Sequence, residues 1–197
     1  MAQGQGGFWR RWRGRAEAPA PAFTLPGGNP LGCDWIWRPV LAEAEECVAL
    51  PSGTPVAPGV TLFHDAARPG LILRRTGDGV LCETEGFDGS FVSLSIDLPL
   101  AGVTGLSRTH VVRAIVPADT GAARLFCRLN LRHGPNVEQL LRGLPEGGGT
   151  AAFDLAYTRM NEKRLEQVWL DVILEAPRRG RALLHDLVVL RHPRADI

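Results

Sequence analysis

TAAFDLAYTRMNEKRLEQVWLDVILEAPRRGRALLHDLVVLR, residues 150–191, is the stretch on which the fold turns. Its three apolar runs, Ala151–Tyr157, Val168–Leu174 and Leu183–Leu190, are each too short for a separate globular helix. Between the last two, Pro177-Arg178-Arg179-Gly180 carries turn chemistry. The runs read as the closing strands of one β-sandwich. In the middle run the strand period of two puts Val168, Leu170, Val172 and Leu174 on the core face, with Trp169 and Asp171 on the other.

Strand signals extend upstream at the same spacing: Val60–His64, Leu71–Arg75, Val80–Thr84, Phe91–Leu98, Thr109–Val116, Leu125–His133 and Val137–Leu141. Glycine-bearing breaks such as Gly77-Asp78-Gly79 and Phe87-Asp88-Gly89 separate most of them. About ten short strands with turns every 8–15 residues predict an all-β, two-sheet antiparallel sandwich of jelly-roll type, with one or two helical turns. Two strands alternate cleanly. Val92, Leu94, Ile96 and Leu98 face inward and Ser93, Ser95 and Asp97 outward; Leu125, Cys127, Leu129 and Leu131 face inward and Arg128, Asn130 and Arg132 outward. VEQLLRGL from Val137 is open between a strand and a helical turn capped by Asn136, and MNEKRLEQ (160–167) predicts a helical turn leading into Val168. LAEAEECV (41–48) reads as a short helical turn, and PSGTPVAPG (51–59) as loop, because Pro51, Pro55 and Pro58 interrupt regular pairing.

The chain of 197 residues fits a single sandwich domain over residues 25–197, large enough to bury roughly 70% of its unfolded surface. Preceding it, residues 1–24 form a basic, aromatic-containing arm: Phe8, Trp9 and Trp12 interleave with Arg10, Arg11, Arg13 and Arg15, and AEAPAP (16–21) follows as a stiff linker. As a helix the three aromatics share one face, the composition of a small interfacial anchor. Four arginines at about 1 kcal/mol each give roughly 4 kcal/mol on an anionic surface, a dissociation constant of only about 1 mM. Contact with a membrane surface through residues 8–15 is therefore weak.

With 22 basic and 21 acidic residues there is no global field to steer a polyanion, so nucleic acid is not the expected partner. No apolar run reaches the ~20 residues of a membrane span, which leads to a cytoplasmic or membrane-peripheral protein. Cys33, Cys47, Cys82 and Cys127 lack C-x-x-C spacing and read as free thiols. Among five histidines there is no H-x-H pair, and there is no G-x-S-x-G or phosphate-binding glycine loop. No catalytic residue, metal or cofactor is expected.

The segments GCDWIWRP (32–39), GVTLFHD (59–65), FDGSFVSLSIDLP (87–99), LNLRHGPNVEQL (129–140), FDLAYTRMNEKRLEQVWLDVILE (153–175) and DLVVLRHPRA (186–195) resemble an alphaproteobacterial family known only as a domain of unknown function. The resemblance covers about residues 25–197 and implies an architecture without a site. More distantly, VWLDVILE followed by LLHDLVVLR resembles the last two strands of a galactose-binding-like carbohydrate-binding-module jelly roll. That fold hosts lectins, enzyme accessory domains and scaffolds alike.

The candidate ligand contacts are Arg128, Asn130 and Arg132 on an outward strand face, Trp169, and His133 and Asn136 in the strand-exit loop Arg132–Asn136. Turn chemistry is the competing and stronger explanation of Gly134-Pro135-Asn136. Trp35 and Trp37, two apart, either stack a ligand or clamp onto the side of the sandwich. The leading expectation is a non-enzymatic binding module for another protein or a glycan. The alternatives are a carbohydrate-binding or carbohydrate-active domain, and a scaffold tethered through Phe8, Trp9, Arg10, Arg11, Trp12 and Arg13.

Overall fold

A computed structural model describes residues 25, 28–29 and 31–194, apart from 69, 176, 178 and 179. The arm and its proposed anchor residues Phe8 to Arg13 lie outside the described residues. Fourteen strands occur among those described: β1 (Trp35–Trp37), β2 (Glu46–Val48), β3 (Thr54–Ala57), β4 (Val60–His64), β5 (Leu71–Thr76), β6 (Gly79–Thr84), β7 (Phe91–Asp97), β8 (His110–Asp119), β9 (Arg124–His133), β10 (Asn136–Leu144), β11 (Gly148–Asp154), β12 (Leu165–Glu175), β13 (Gly180–Leu184) and β14 (Val188–Pro193). One helical turn, α1 (Leu100–Val103), and short 3-10 turns at Leu155–Tyr157 and Glu162–Arg164 occur beside them among the described residues.

The strands form two antiparallel sheets. The larger runs β1-β14-β8-β13-β6-β5-β2, with β11 on the other side of β8; the smaller runs β10-β9-β12-β7-β4-β3. Between them lies the core, in which Leu62, Ile96, Leu129, Leu131, Phe153 and Leu170 are completely covered. Each such side chain contributes roughly 2 kcal/mol relative to exposure. The inward residues of β7, β9 and β12 are those that the alternation of the sequence assigns to the core.

Pairing corrects three local expectations and settles a fourth that the residues leave open. The run Leu183–Leu190 is two strands, broken at His185–Leu187. Its inward residues change parity, from Ala182 and Leu184 to Leu187 and Val189, so a continuous strand would turn half of them away from the core. Both pieces run beside β8, with Leu184 opposite Ala118 and Val189 opposite Ala114. The acidic stretch 41–48 is not helical: Glu46–Val48 pairs with β5, and Leu41 and Ala42 drop into the core. Residues 54–57 form a strand despite Pro55, because β3 is the outermost strand of its sheet and the missing N–H disturbs no central ladder. Val137–Leu141 resolves as strand, since Gly134-Pro135 makes a two-residue turn that pairs Asn136 with His133.

One buried polar anchor has no sequence signature. Arg191 in β14 is 9% exposed; its Nε donates to Asp34 Oδ1 at 3.0 Å and its Nη1 to the carbonyls of Gly102 (3.3 Å) and Thr104 (2.9 Å). It ties β1 and α1 to the end of the larger sheet. Trp35 and Trp37 stack at 6.2 Å and pack, half-buried, against the core, Trp35 lying over Gly102. They clamp rather than present a platform.

Candidate functional site

Antiparallel register decides which outward residues of the smaller sheet meet. At one level, Leu141, Arg128, Asp171, Ser95 and Thr61 follow one another across β10, β9, β12, β7 and β4. One step along the strands the sequence is Gln139, Asn130, Trp169 and Asp97, and the next step brings Val137, Arg132 and Gln167. The half-buried indole of Trp169 thus stands directly opposite Asn130 on one side and Asp97 on the other. The intervening residues Val168, Leu170, Val172, Leu129 and Leu131 fill the core beneath, so this face is held by a rigid, close-packed layer.

Arg128 donates to Asp171 Oδ2 from Nε at 2.9 Å and lies at 2.8 Å from it through Nη2. The same oxygen accepts from Asn130 Nδ2 at 2.9 Å. Asp171 is 3% exposed and Asn130 fully covered, while Asn130 Oδ1 finds no donor among the described residues. Arg132 pairs with Glu166 at 3.4 Å. Register shifts between Leu165 and Gln167, so Glu166 is the extra residue of a bulge that re-aims it from the core side toward Arg132. Gln167 Nε2 donates to Asp97 Oδ1 at 2.9 Å. Desolvation where the Asp97 carboxyl meets the sheet raises its pKa above the ordinary value, outweighing the Gln167 hydrogen bond and the Arg132 charge; Asp171 adds to the rise.

Four of the six sequence candidates, Arg128, Asn130, Arg132 and Trp169, come together here. His133 and Asn136 do not join them. The His133 side chain is 9% exposed on the inward side, 3.9 Å from Glu138, and Asn136 is exposed at the turn. Gly134, with φ +63°, packs beneath the Arg164 guanidinium and its N–H donates to the Arg164 carbonyl at 3.1 Å, which anchors the loop to the turn before β12. Gln167, Glu166 and Gln139 were missed. Parity alone assigns Gln167 and Gln139 to this face, but Glu166 reaches it only through the bulge.

Other chemical groupings are occupied structurally. Ser107 Oγ lies 2.9 Å from His110 Nδ1, and His110 Nε2 lies 3.4 Å from Asp34 Oδ2. The backbone N–H of Ser107 donates to the same Nδ1 at 3.1 Å, so the imidazole closes a turn instead of standing free as a base. His64 accepts the Ala66 N–H at Nδ1, and its Nε2 bonds the Leu50 carbonyl. Among the described residues no cluster of three or more His, Cys, Asp or Glu side chains is arranged to hold a metal ion. An apolar cavity of about 30 Å³ between the sheets, lined by residues including Leu62, Cys82, Ala118 and Val172, offers almost no polar surface. No helix among the described residues is long and apolar enough to cross a membrane.

The chain belongs to a family of unknown function, DUF6478, whose model matches residues 22–197. No curated protein matches its sequence. Similar solved structures include the enzymatically active domain of tailspike protein 4 of bacteriophage CBA120, at 7% identity and a TM-score of 0.46 over 67% of this chain and 19% of that one. They also include the C-terminal family 22 carbohydrate-binding module of Clostridium thermocellum Xyn10B, at 8% identity and 0.42 over 84% and 96%. A third is the xylan-binding module CBM15, at 15% identity and 0.37 over 70% and 100%. The match spans about a fifth of the tailspike chain.

Proposed function

We propose that this member of a family of unknown function is a non-catalytic binding module that takes an oligosaccharide on the outward face of its six-stranded sheet. The observation that carries the reading is the register that places Trp169 between Asn130 and Asp97, with Arg132 and Gln167 one step along. An indole offers a flat apolar surface for the C–H face of a pyranose, and the Gln167 amide and Asp97 carboxylate beside it meet its hydroxyls, while the covered Asn130 holds the strand beneath. The packed layer beneath holds these groups in place before ligand arrives, which lowers the ordering cost of binding.

Binding is favoured over hydrolysis by the state of Asp171. Asp97 and Asp171 lie diagonally on adjacent strands, a placement that in a glycosidase supplies an acid and a base or nucleophile. Yet Asp171 is 3% exposed, and one of its oxygens already faces three donor groups. A carboxylate so engaged is a poor base and is closed to an incoming anomeric carbon.

The test is calorimetric titration of the full chain with a panel of oligosaccharides, alongside intrinsic fluorescence. Trp169→Ala is expected to weaken binding at least about tenfold, roughly 1.4 kcal/mol, with an unchanged circular dichroism spectrum. Trp37→Phe, in the clamp, is the comparison. Absence of binding across the panel, or equal loss in both variants, overturns the reading.

A further inference from the structure

We propose that the ligand of this face is electrically neutral: an uncharged oligosaccharide, as opposed to one bearing uronate, sialate, sulfate or phosphate. The inference rests on the oligosaccharide-binding reading of the same face and adds its chemical class.

Its basis is that every outward strand arginine there stands beside a carboxylate. Arg124 pairs with Glu175, Arg128 with Asp171 and Arg132 with Glu166. Asp97 adds a fourth carboxylate, hydrogen-bonded to a neutral amide. Three arginines against four carboxylates leave the outward strand residues with one surplus negative charge when all are ionised. The remaining outward positions, among them Gln139, Gln167, Ser95 and Thr61, carry no charge.

Recognition of a sugar carboxylate or sulfate commonly draws on a guanidinium fork free to make two parallel bonds. Here each guanidinium already faces an acid: Arg128 makes two contacts to a buried group shared with Asn130, Arg124 one through Nη2, and Arg132 a looser one through Nε at 3.4 Å. That carboxylate would then face the anion at close range. A neutral hydroxylated ligand meets none of these costs, because it bonds to amides and to already paired charges without separating them. Glu166 matters through its charge, since the bulge is what sets its carboxylate beside Arg132, where it also repels an anion.

The experiment measures the full chain against matched neutral and uronate-bearing or sulfated oligosaccharides, at about 0.05 M and about 0.5 M sodium chloride. The expected result is binding of neutral members, with an affinity that changes less than about twofold with salt, and anionic counterparts at least about tenfold weaker. Glu166→Gln, which removes the carboxylate beside Arg132, is expected to strengthen binding of the anionic members several-fold and to make that binding salt-sensitive. Tighter binding of the anionic members by the unaltered chain, lost in Trp169→Ala, overturns neutrality while leaving the binding face standing. Binding of neither class overturns the binding face and the inference with it.

Discussion

Arg128 and Asp171 form a two-contact ion pair, at 2.8 and 2.9 Å, across the ladder between β9 and β12, one step along from the Trp169–Asn130 pair. Asp171 has only 5% of its side chain exposed whereas Arg128 retains 38%. Removing the acid takes the shortest of the Asn130 acceptors and leaves it the backbone carbonyls of Arg128 and Trp169, while the arginine can return to water. Asp171→Ala is therefore expected to cost about 2 to 3 kcal/mol, below the full penalty of stranding a fully buried charge. A double-mutant cycle with Arg128→Ala, followed by urea unfolding, should give a coupling of at least about 1 kcal/mol. Simple additivity of the two variants would contradict the pair's role in holding the face.

Two aspartates should titrate in opposite senses. Desolvation raises Asp97 above its ordinary value of 3.8, so the folded state holds more protons than the unfolded chain just above that value. Its contribution to stability therefore falls as pH rises through the raised value. Asp65 is lowered, chiefly by the hydroxyl of Ser90, with the N–H groups of Ser90 and Phe91 adding to it. It contributes stability above 3.8 that is lost as pH falls through the lowered value. Asp97→Asn is expected to stabilise the protein at neutral pH and Asp65→Asn to destabilise it, both differences fading in strong acid. Urea unfolding from about pH 7 to about pH 2 checks the signs.

Thiol reactivity should divide the cysteines by burial. Cys82 and Cys127 are covered, and desolvation pushes both thiols up to about 12. At pH 8 roughly one in 10⁴ of either is thiolate. Cys33 and Cys47 are half-buried, and Cys33 donates to the Trp35 carbonyl at 3.3 Å. An aromatic disulfide reagent is expected to titrate no more than these two in the folded protein and all four in guanidinium. Rapid modification of Cys82 in the native state would show that the core opens locally.

Gly147 and Gly148 offer a matched pair of backbone tests at the start of β11. Both have positive φ, +86° and +79°. A Cβ on Gly147 meets nothing within 4 Å, whereas one on Gly148 collides with the Val116 carbonyl and comes within 2.7 Å of Ala118 N. Gly147→Ala should cost about 1 kcal/mol, the strain of a left-handed backbone alone. Gly148→Ala should cost about 3 kcal/mol or more, because it also pushes β11 off β8. Thermal melts of the two variants separate the effects.

How far this could be read from residues alone follows the difference between parity and register. Parity is local. The alternation in FVSLSIDL, LFCRLNLR and VWLDVIL places Ser95, Asn130 and Trp169 opposite the core side without knowledge of any partner strand. The bend at His185–Leu187 was equally encoded, in the polar pair His185-Asp186 and the switch of apolar parity from Leu184 to Leu187, which a reading of 183–190 as one run passes over. The strands at 46–48 and 54–57 were hidden for another reason: their acidic and proline-rich residues disfavour strand locally, and only a neighbouring strand offsets that preference.

The sequence by itself determined the all-β class, most of the strands and the two faces of each alternating one, because side-chain direction in a strand depends only on counting by two. The tertiary structure alone decided that Trp169 stands between Asn130 and Asp97 and that a bulge turns Glu166 onto Arg132. Those relationships join residues up to 72 positions apart, as Asp97 and Trp169 are. Their register is set by the simultaneous packing of all the strands between two sheets, which no single segment specifies.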